Sequence, residues 1–385
     1  MDLSILKEST IVHLMFAITF FTSGVIMNFF QCLLYFGLRP LSKYFYRKIG
    51  YYLCYAYFSQ LVCMAEWWSG SDFVLYAEKE DFEKYFGREH VLLLMNHRFE
   101  IDWLTGWVFC ERVGVLGNCK AYAKKAIQFI PTLGWGLKFA ESIFLERNWE
   151  KDKQIIGNQI AELGNYPDSI WLLLNAEGTR FTKRKLEASQ KFSQEKGLPV
   201  LKYHLTPRTK GFTASVPHMR GKFPAIYDVQ LHFNEDNPVK PTITNLLLGK
   251  RVEGHMIIRR IPLEEVPDGD EAAAEWLYKL YERKDRLAES FIKTGDFFAI
   301  SGVPRLDRMQ VPRRRYSLIN TIFWMAVILV PMLYYLVKLF LSGSTIYLFT
   351  GVGILLLFYV LMQKTIGMSE ISKSSSYGAD DTKSK

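Results

Sequence analysis

Residues 91–103 read VLLLMNHRFEIDW, and this stretch carries the strongest indication of both fold and chemistry. Residues 91–95 form a short, uninterrupted apolar run, which is typical of a buried strand in a parallel sheet, although a buried helical turn has the same pattern. Polar residues follow at once, with Asn96 and His97 first and Asp102 five positions after the histidine. Open α/β sheets bind ligands beyond the carboxyl ends of their strands. We therefore expect a site where this strand ends.

His97 and Asp102 have the spacing of a histidine base and a carboxylate that orients it. If a helix begins near Glu100, Asp102 lies in its first turn, where the helix dipole favours a carboxylate. The turn before the helix then returns that carboxylate to the imidazole, where it fixes the tautomer and stabilises the imidazolium. The alternative is structural, because the chain has seven histidines and a strand-end histidine often bonds a nearby aspartate for stability alone. This pair by itself leaves both interpretations open.

Two long stretches of low charge predict a membrane protein. Residues 11–38 contain no Asp, Glu, Lys or Arg, and residues 316–363 contain only Lys338. A helix that crosses a bilayer needs about 20 apolar residues. The Ser-Gly-Ser turn within the second stretch predicts a hairpin of helices at about 316–341 and 345–362, and a proline in the first arm is expected to kink it.

The positions of the basic residues indicate membrane orientation. They follow the first span and precede the hairpin, at Arg39, Lys43, Arg47, Lys48, Arg305, Arg308 and Arg313 to Arg315. The positive-inside rule therefore places the region between the spans in the cytosol. The arginines before the hairpin could also hold anionic lipid headgroups. The stretch 49–65, uncharged and rich in Tyr, is either a further inserted helix or an interfacial one.

Several functional classes are disfavoured. The net charge of +9 does not indicate a nucleic-acid partner, because the basic residues flank membrane spans and no nucleic-acid motif occurs. The five cysteines form no C-x-x-C pair and have no zinc spacing, so we expect reduced packing residues and no metal. The chain contains no G-x-S-x-G segment, which is the motif that would indicate a serine acyl-enzyme.

Further apolar runs have the pattern of strands and end in polar clusters. They lie at 142–145, 169–174, 199–205, 225–233 and 255–261. The first three are followed by Arg147, by Glu177 to Arg180, and by Arg208 and Lys210. Parallel strands bring such ends to one edge of a sheet, where cations beside a His–Asp pair suit an anionic amphiphile that carries a hydroxyl. The lysine run at 120–125 is either a solvated helix face or a further cation for a phosphate.

Four blocks of the chain resemble the glycerolipid acyltransferase family. Their marks are N-H-x-x-x-x-D, F-x-x-R, E-G-T-R and a Pro-containing apolar block, found in order at Asn96 to Asp102, Phe144 to Arg147, Glu177 to Arg180 and Leu198 to Val200. The run LPVLKYHLTPRTKGF, the segment RRIPLEEVP and the C-terminal apolar hairpin are similar to the animal 1-acylglycerol-3-phosphate acyltransferases of the gamma/delta type. Two positions depart from the pattern: Glu141 stands where Gly is frequent, and Asn175-Ala176 where Phe-Pro is frequent.

The resemblance implies a membrane-anchored α/β domain, with a mostly parallel sheet, flanking helices, and transmembrane helices at both ends. We expect an N-terminal membrane region at 1–69, a catalytic domain at 70–315, a transmembrane hairpin at 316–363 and a polar tail at 364–385. The substrates implied are acyl-CoA and lysophosphatidic acid, with no cofactor, and phosphatidic acid is the product. The membrane implied is that of the endoplasmic reticulum, with the Golgi as an alternative.

By the same resemblance, His97 is the general base and Asp102 orients it. The residues expected to bind substrate are Asn96, Lys125, Arg147, Glu177, Gly178, Thr179 and Arg180. Other acceptors stay open, namely lysophosphatidylinositol, lysocardiolipin and glycerol 3-phosphate. A non-catalytic membrane scaffold or lipid-binding protein is the alternative of a different class.

Overall fold

A computed structural model describes residues 3–146 and 148–370. Within this part of the chain, eight strands form one sheet. The strands are β1 (Asp72–Ala77), β2 (Val91–Met95), β3 (Cys119–Lys124), β4 (Ile143–Leu145), β5 (Trp171–Leu174), β6 (Ala225–Phe233), β7 (Glu253–Pro262) and β8 (Asp307–Met309). The helices are α1 (Leu3–Glu8), α2 (Thr10–Leu33), α3 (Lys43–Cys63), α4 (Lys79–Tyr85), α5 (Asp102–Val113), α6 (Leu133–Phe139), α7 (Trp149–Leu163), α8 (Lys183–Lys196), α9 (Thr209–Met219), α10 (Ile243–Leu247), α11 (Asp270–Thr294), α12 (Tyr316–Leu341) and α13 (Thr345–Ser369).

The strand order is β4-β3-β5-β2-β6-β7-β1-β8. The first five strands in that order run parallel to one another, and β7 is antiparallel to β6. β1 runs parallel to β7, and β8 closes the far edge in the antiparallel direction. The carboxyl ends of β2, β3, β4 and β5 therefore meet at one edge. This confirms the predicted mostly parallel sheet with flanking helices.

The apolar run that opens the decisive stretch is the central strand β2. Leu92 lies opposite Leu172 on one side and Ile226 on the other, so both edges of β2 are paired. Side chains alternate between the two faces of a strand. Leu92 and Leu94 accordingly pack in one core and Val91 in the other. Burial of each such leucine contributes roughly 1.5–3 kcal/mol, which holds the end of β2 in a fixed position.

The prediction of a strand at 199–205 is wrong. These residues have no strand partner; the backbone N–H groups of Lys202, Tyr203 and His204 donate instead to the side-chain carboxylate of Asp285. Leu205 likewise donates its N–H to a carboxylate, that of Glu177. Backbone groups that are satisfied by side chains do not need a sheet ladder.

Two other parts of the chain differ from the expectation. The lysine run at 120–125 begins in strand β3, so the interpretation as a helix face is wrong. Lys120 is buried there, and this burial lowers the pKa of its ammonium group. The residues that precede β2 also contain a strand that is not predicted from the sequence: β1, whose partners β7 and β8 lie far along the chain.

Three of the described helices are long and apolar enough to cross a membrane: α2 with its π-helical continuation to Leu38, α12 and α13. This confirms the N-terminal span and the C-terminal hairpin, whose arms end and begin on either side of residues 342–344. The stretch 49–65 lies in α3 and the turn after it, and α3 is not among these three helices. It packs against α2 and α12.

The second arm of the hairpin is longer than expected, because α13 continues to Ser369. Its last turns do not extend away from the sheet domain. Met362 is buried in the same core as Ile101 and Leu104, and Ile366 packs against that core. The end of the last helix therefore packs against the core of the sheet domain, a core that also contains the start of α5.

Glu141 shows why glycine is frequent at its position. Its φ is 60°, in the left-handed region that favours glycine. The carboxylate compensates through three partners: Arg39 at 3.2 Å, Arg47 at 3.0 Å and the hydroxyl of Tyr166 at 2.7 Å. These contacts join the chain after the first span to the start of β4, and they oppose the effect of burial enough to lower the pKa of Glu141.

The arginines before the hairpin mostly bind the protein itself. Arg313 donates to the backbone carbonyls of Glu66, Gly70 and Ser71. Arg314 donates to the carbonyl of Glu111. These contacts attach the start of the hairpin to the region around β1 and α5. The main role of Arg313 and Arg314 is therefore structural, and not the binding of lipid headgroups.

Candidate active site

His97 and Asp102 are in contact, as their spacing predicts. β2 ends at Met95 and α5 begins at Asp102, so the two residues lie on the turn between them. The Oδ2 atom of Asp102 is 3.2 Å from His97 Nδ1. It also accepts hydrogen bonds from the backbone N–H groups of Arg98 at 2.7 Å and Phe99 at 2.9 Å. The backbone thus fixes the carboxylate, and the carboxylate fixes the ring.

The exposure of the two side chains suits a base and its partner. Asp102 is fully buried, whereas the side chain of His97 is 20% exposed. Because an ionised carboxylate can only accept, the proton on this side of the imidazole lies on Nδ1. That leaves Nε2 as the nitrogen that can take a proton from a substrate. The pair can therefore perform general-base chemistry on a hydroxyl that reaches the open side of the ring.

Asn96 is held by the neighbouring strand. Its Oδ1 accepts from the N–H of Leu231 at 2.8 Å, and its Nδ2 donates to the carbonyl of the same residue at 2.9 Å. The buried amide therefore extends the β2–β6 pairing by one residue and sets the start of the turn that carries His97. Contact with substrate stays a prediction for Asn96.

Glu177, just beyond β5, joins two backbone segments. Its Oε1 accepts from the N–H of His97 at 3.0 Å, and its Oε2 accepts from the N–H of Leu205 at 3.1 Å. Glu177 is buried, which raises the pKa of its carboxyl, while His204 and the two N–H groups act in the opposite direction. The carboxylate does not pair with Arg180 here, so an ion pair between these two residues does not hold the turn.

Gly178 and Thr179 form the turn that follows. The φ of Gly178 is +69°, and a Cβ at this position would lie 2.9 Å from the side chain of Arg208. The positive φ favours glycine, and a larger residue would also displace the side chain of Arg208. Thr179 accepts a hydrogen bond from the buried Lys185 at 2.9 Å, and Lys185 also bonds the carbonyl of Arg180. Lys185 thus holds the turn through two hydrogen bonds, and no sequence pattern distinguishes it from the other basic residues of α8.

Arg180 lies close to the His–Asp pair. Burial lowers the pKa of its guanidinium, while the nearby carboxylates of Asp102 and Glu100 act in the opposite direction. One arm, Nη1, donates to the backbone carbonyl of Ser369 at the end of α13, 2.6 Å away. Nε is buried and has no hydrogen-bond partner among the described residues. A buried donor without a partner beside a base is a suitable contact for an anionic oxygen.

The two remaining predicted cations are less well placed or not described. Lys125 follows β3, two strands from β2 across β5, and forms an ion pair with Glu146 on the surface. Arg147 lies outside the described residues. Glu100, near which the sequence predicts the start of a helix, is buried and accepts the N–H of Ile243, the first residue of α10. Its burial raises the pKa of the carboxyl.

Comparison with known proteins identifies the family of the chain. Residues 74–221 match the family described as Acyltransferase, and residues 245–324 match the one described as Acyltransferase C-terminus. The chain is 40% identical over 384 residues to 1-acyl-sn-glycerol-3-phosphate acyltransferase gamma of Homo sapiens, which covers 100% of this chain and 99% of that one. It is 41% identical over 387 residues to the delta protein of Mus musculus, with the same shares covered.

The chain belongs to the 1-acyl-sn-glycerol-3-phosphate acyltransferase family. This confirms the resemblance inferred from the four motifs. In this acyltransferase, the first matched region extends from β1 past α9 and contains the whole His97 site. The second region contains β7 and α11, and α11 carries the carboxylate of Asp285 that binds residues 202–204. The C-terminal region of the acyltransferase thus binds the segment whose next residue, Leu205, contacts Glu177 of the site.

Proposed function

We propose that this protein transfers a fatty acyl group from acyl-CoA to the sn-2 hydroxyl of 1-acylglycerol 3-phosphate and so forms phosphatidic acid. The observation that carries the proposal is the contact between His97 Nδ1 and the buried Asp102, with Arg180 beside them at one sheet edge. The names of the gamma and delta relatives support the choice of acceptor.

His97 acts as the general base in this reaction. Its Nε2 takes the proton of the acceptor hydroxyl as the hydroxyl oxygen bonds the thioester carbonyl carbon. The carbon–sulfur bond then breaks, and the thiolate of CoA leaves with the proton that the imidazolium returns. Asp102 stabilises the imidazolium between these steps. A thioester is already activated, so a positioned base, which contributes about 10²–10⁴-fold, and aligned substrates are sufficient.

Arg180 binds the phosphate of the acceptor. Its planar guanidinium can form two parallel hydrogen bonds to phosphate oxygens, and Nε is the unpaired donor that the phosphate takes. Lys125 adds positive charge where β3 ends, and contact with substrate stays a prediction for Arg147. Glu177, Gly178 and Thr179 shape the pocket by fixing the turn from which Arg180 extends.

The membrane helices place the enzyme where its acceptor lies. We propose that residues 70–315 face the cytosol at the endoplasmic reticulum, with the Golgi as the alternative, because basic residues flank the spans on that side. α12 and α13 expose large apolar side chains over most of their length, as lipid-facing helices do. A lysophospholipid in that leaflet reaches the site without leaving the membrane surface.

The test is acyl transfer by the purified full chain in detergent, with acyl-CoA and a panel of acceptors. The panel contains lysophosphatidate, lysophosphatidylinositol, lysocardiolipin and glycerol 3-phosphate. We expect lysophosphatidate to have the highest kcat/KM. We also expect His97→Ala to abolish turnover and His218→Ala, which changes an exposed histidine of α9, to leave it unchanged.

A different best acceptor would correct the substrate. No turnover with any acceptor would support the non-catalytic scaffold. A His97→Ala variant with the kcat of the wild type would remove the base assignment while leaving the acyltransferase activity in place.

A further inference from the structure

A second histidine–aspartate pair lies behind the first. His204 Nδ1 is 3.1 Å from Oδ1 of Asp285, on α11. The same carboxylate accepts the backbone N–H groups of Lys202, Tyr203 and His204 at 2.8, 2.8 and 3.0 Å. Four hydrogen bonds from three consecutive residues thus converge on one side chain. Burial alone would raise the pKa of Asp285, but these hydrogen bonds lower it overall, so they favour the ionised carboxylate.

This segment is connected to the catalytic turn by hydrogen bonds. The next residue, Leu205, donates its N–H to Glu177, and the other oxygen of Glu177 accepts the N–H of His97. Residues 202–205 have no strand partner, so these carboxylates hold their backbone in place. The path from α11 to the base therefore runs from Asp285 through residues 202–205 and Glu177 to His97.

The adjacent residue of α11 holds the strands beneath the site. Lys284 is fully buried, and its ammonium donates to the carbonyls of Leu94 in β2 and Val229 in β6. It also forms an ion pair with Asp228 at 2.6 Å. One turn of α11 thus binds both the strand that leads to His97 and the segment that supports Glu177. A shift of Asp285 relative to β2 is resisted by the contacts of Lys284.

We infer that His204 and Asp285 are positioning residues for the proposed acyl transfer. They clamp residues 202–205 so that Leu205 meets Glu177, and Glu177 then sets the backbone of the base. This inference rests on the proposed function and adds to it a role for the C-terminal region of the acyltransferase.

His204 is not a second base. Its side chain is only 2% exposed, compared with 20% for His97. Its ring lies beside those of His232 and Tyr281 in the interior, with centroids 6.4 and 6.0 Å away. A substrate hydroxyl cannot reach Nε2 there. What the pair can do is hold backbone, and an amide donor can replace the Nδ1 proton in that role.

The first test compares His204→Ala with His204→Asn, since the asparagine amide can take over the bond to Asp285. We measure kcat and KM with lysophosphatidate and oleoyl-CoA on the full chain. We expect the alanine variant to lose about tenfold or more in kcat, which corresponds to about 1.4 kcal/mol. KM should change less, and the asparagine variant should recover most of the loss.

The outcomes separate this inference from the proposed function. An inactive wild type overturns the function and the inference together. An active wild type with equal, severe losses in both variants assigns His204 another role and overturns the inference alone. A fully active alanine variant also overturns it.

The second test keeps the inference testable if the alanine variant does not fold. A double-mutant cycle combines Asp285→Asn with Glu177→Gln. If Asp285 acts through Glu177, its substitution lowers kcat much less in the Glu177→Gln background than in the wild type. The same factor in both backgrounds would mean a general structural role and would refute the path. Glu275→Gln, an exposed carboxylate on the same helix, is the matched control and should leave kcat unchanged.

Discussion

Asp102 offers the sharpest test of the proposed catalytic pair, because its two oxygens have different surroundings. Oδ2 accepts three hydrogen bonds, two from backbone N–H groups and one from His97, whereas Oδ1 is buried without a partner among the described residues. An asparagine can place its carbonyl oxygen at the Oδ2 position and keep all three contacts. Asp102→Asn therefore removes the charge and preserves the geometry, whereas Asp102→Ala removes both.

The magnitudes follow from this difference. In serine proteases, where a carboxylate also orients a histidine base, the corresponding Asn substitution lowers kcat about 10⁴-fold. For this enzyme we expect Asp102→Asn to lower kcat by about 10²–10⁴-fold with a smaller change in KM. Asp102→Ala also leaves the N–H groups of Arg98 and Phe99 without their acceptor. At about 1–3 kcal/mol for each unsatisfied buried group, the free energy of unfolding falls by about 2–6 kcal/mol.

The assay is steady-state acyl transfer to lysophosphatidate, together with thermal unfolding of the same detergent preparations. We expect Asp102→Asn to unfold close to the wild type and to be nearly inactive, and Asp102→Ala to be both inactive and clearly less stable. A change confined to KM in the asparagine variant would show that Asp102 binds substrate and does not serve the base. Equal stability of the two variants would contradict the role of Oδ2 as a backbone acceptor.

Three further predictions test the phosphate site, a buried carboxyl and the orientation. Arg180→Lys keeps the charge but loses the planar guanidinium, so kcat/KM should fall about tenfold more for lysophosphatidate than for monoacylglycerol. Arg147→Lys is measured in the same way. Equal losses on both acceptors would mean that these arginines are structural. Burial raises the pKa of Glu111 to about 7, whereas a glutamate in an unfolded chain has a pKa of about 4.3. Between these two pH values the folded protein keeps a proton on Glu111 that the unfolded chain releases. The free energy of unfolding therefore falls by about 3 kcal/mol through this carboxyl as pH rises from acid to about 7. Tm between pH 5 and pH 8 should decrease more in the wild type than in Glu111→Gln. Parallel decreases in the two proteins would contradict this. Protease added to sealed microsomes should cut within residues 70–315 and spare an N-terminal tag, and protection of that region until detergent is added would reverse the orientation.

The sequence predicted the features that depend on local pattern. The apolar run at 91–95, the spans of low charge and the helix that begins near Glu100 are visible because the residues that form them are neighbours. Burial on both faces of β2 and the lipid-facing lengths of α12 and α13 leave a continuous trace in composition. The contact between His97 and Asp102 was accessible for the same reason, since only five positions separate the two residues.

The missed features depend on distant partners. Residues 199–205 have the composition of a strand, but the N–H groups of residues 202–204 donate to Asp285, which lies 81 to 83 positions later in the chain. β3 was missed because Lys120 breaks its apolar pattern, although the fold buries that side chain. The partner of Arg180, the carbonyl of Ser369, is 189 positions away and is a backbone atom, which no residue pattern can indicate.

The docked end of α13 has a consequence for the order in which the enzyme is made. A nascent chain has all eight described strands once Met309 has left the ribosome, yet the carbonyl that binds Arg180 belongs to Ser369, sixty residues later. Domains can fold during synthesis, so the sheet can form before the hairpin is inserted. During that interval Arg180 lacks its neighbour, and only insertion of the last helix supplies it. Completion of the acyltransferase is thus coupled to completion of its membrane anchor.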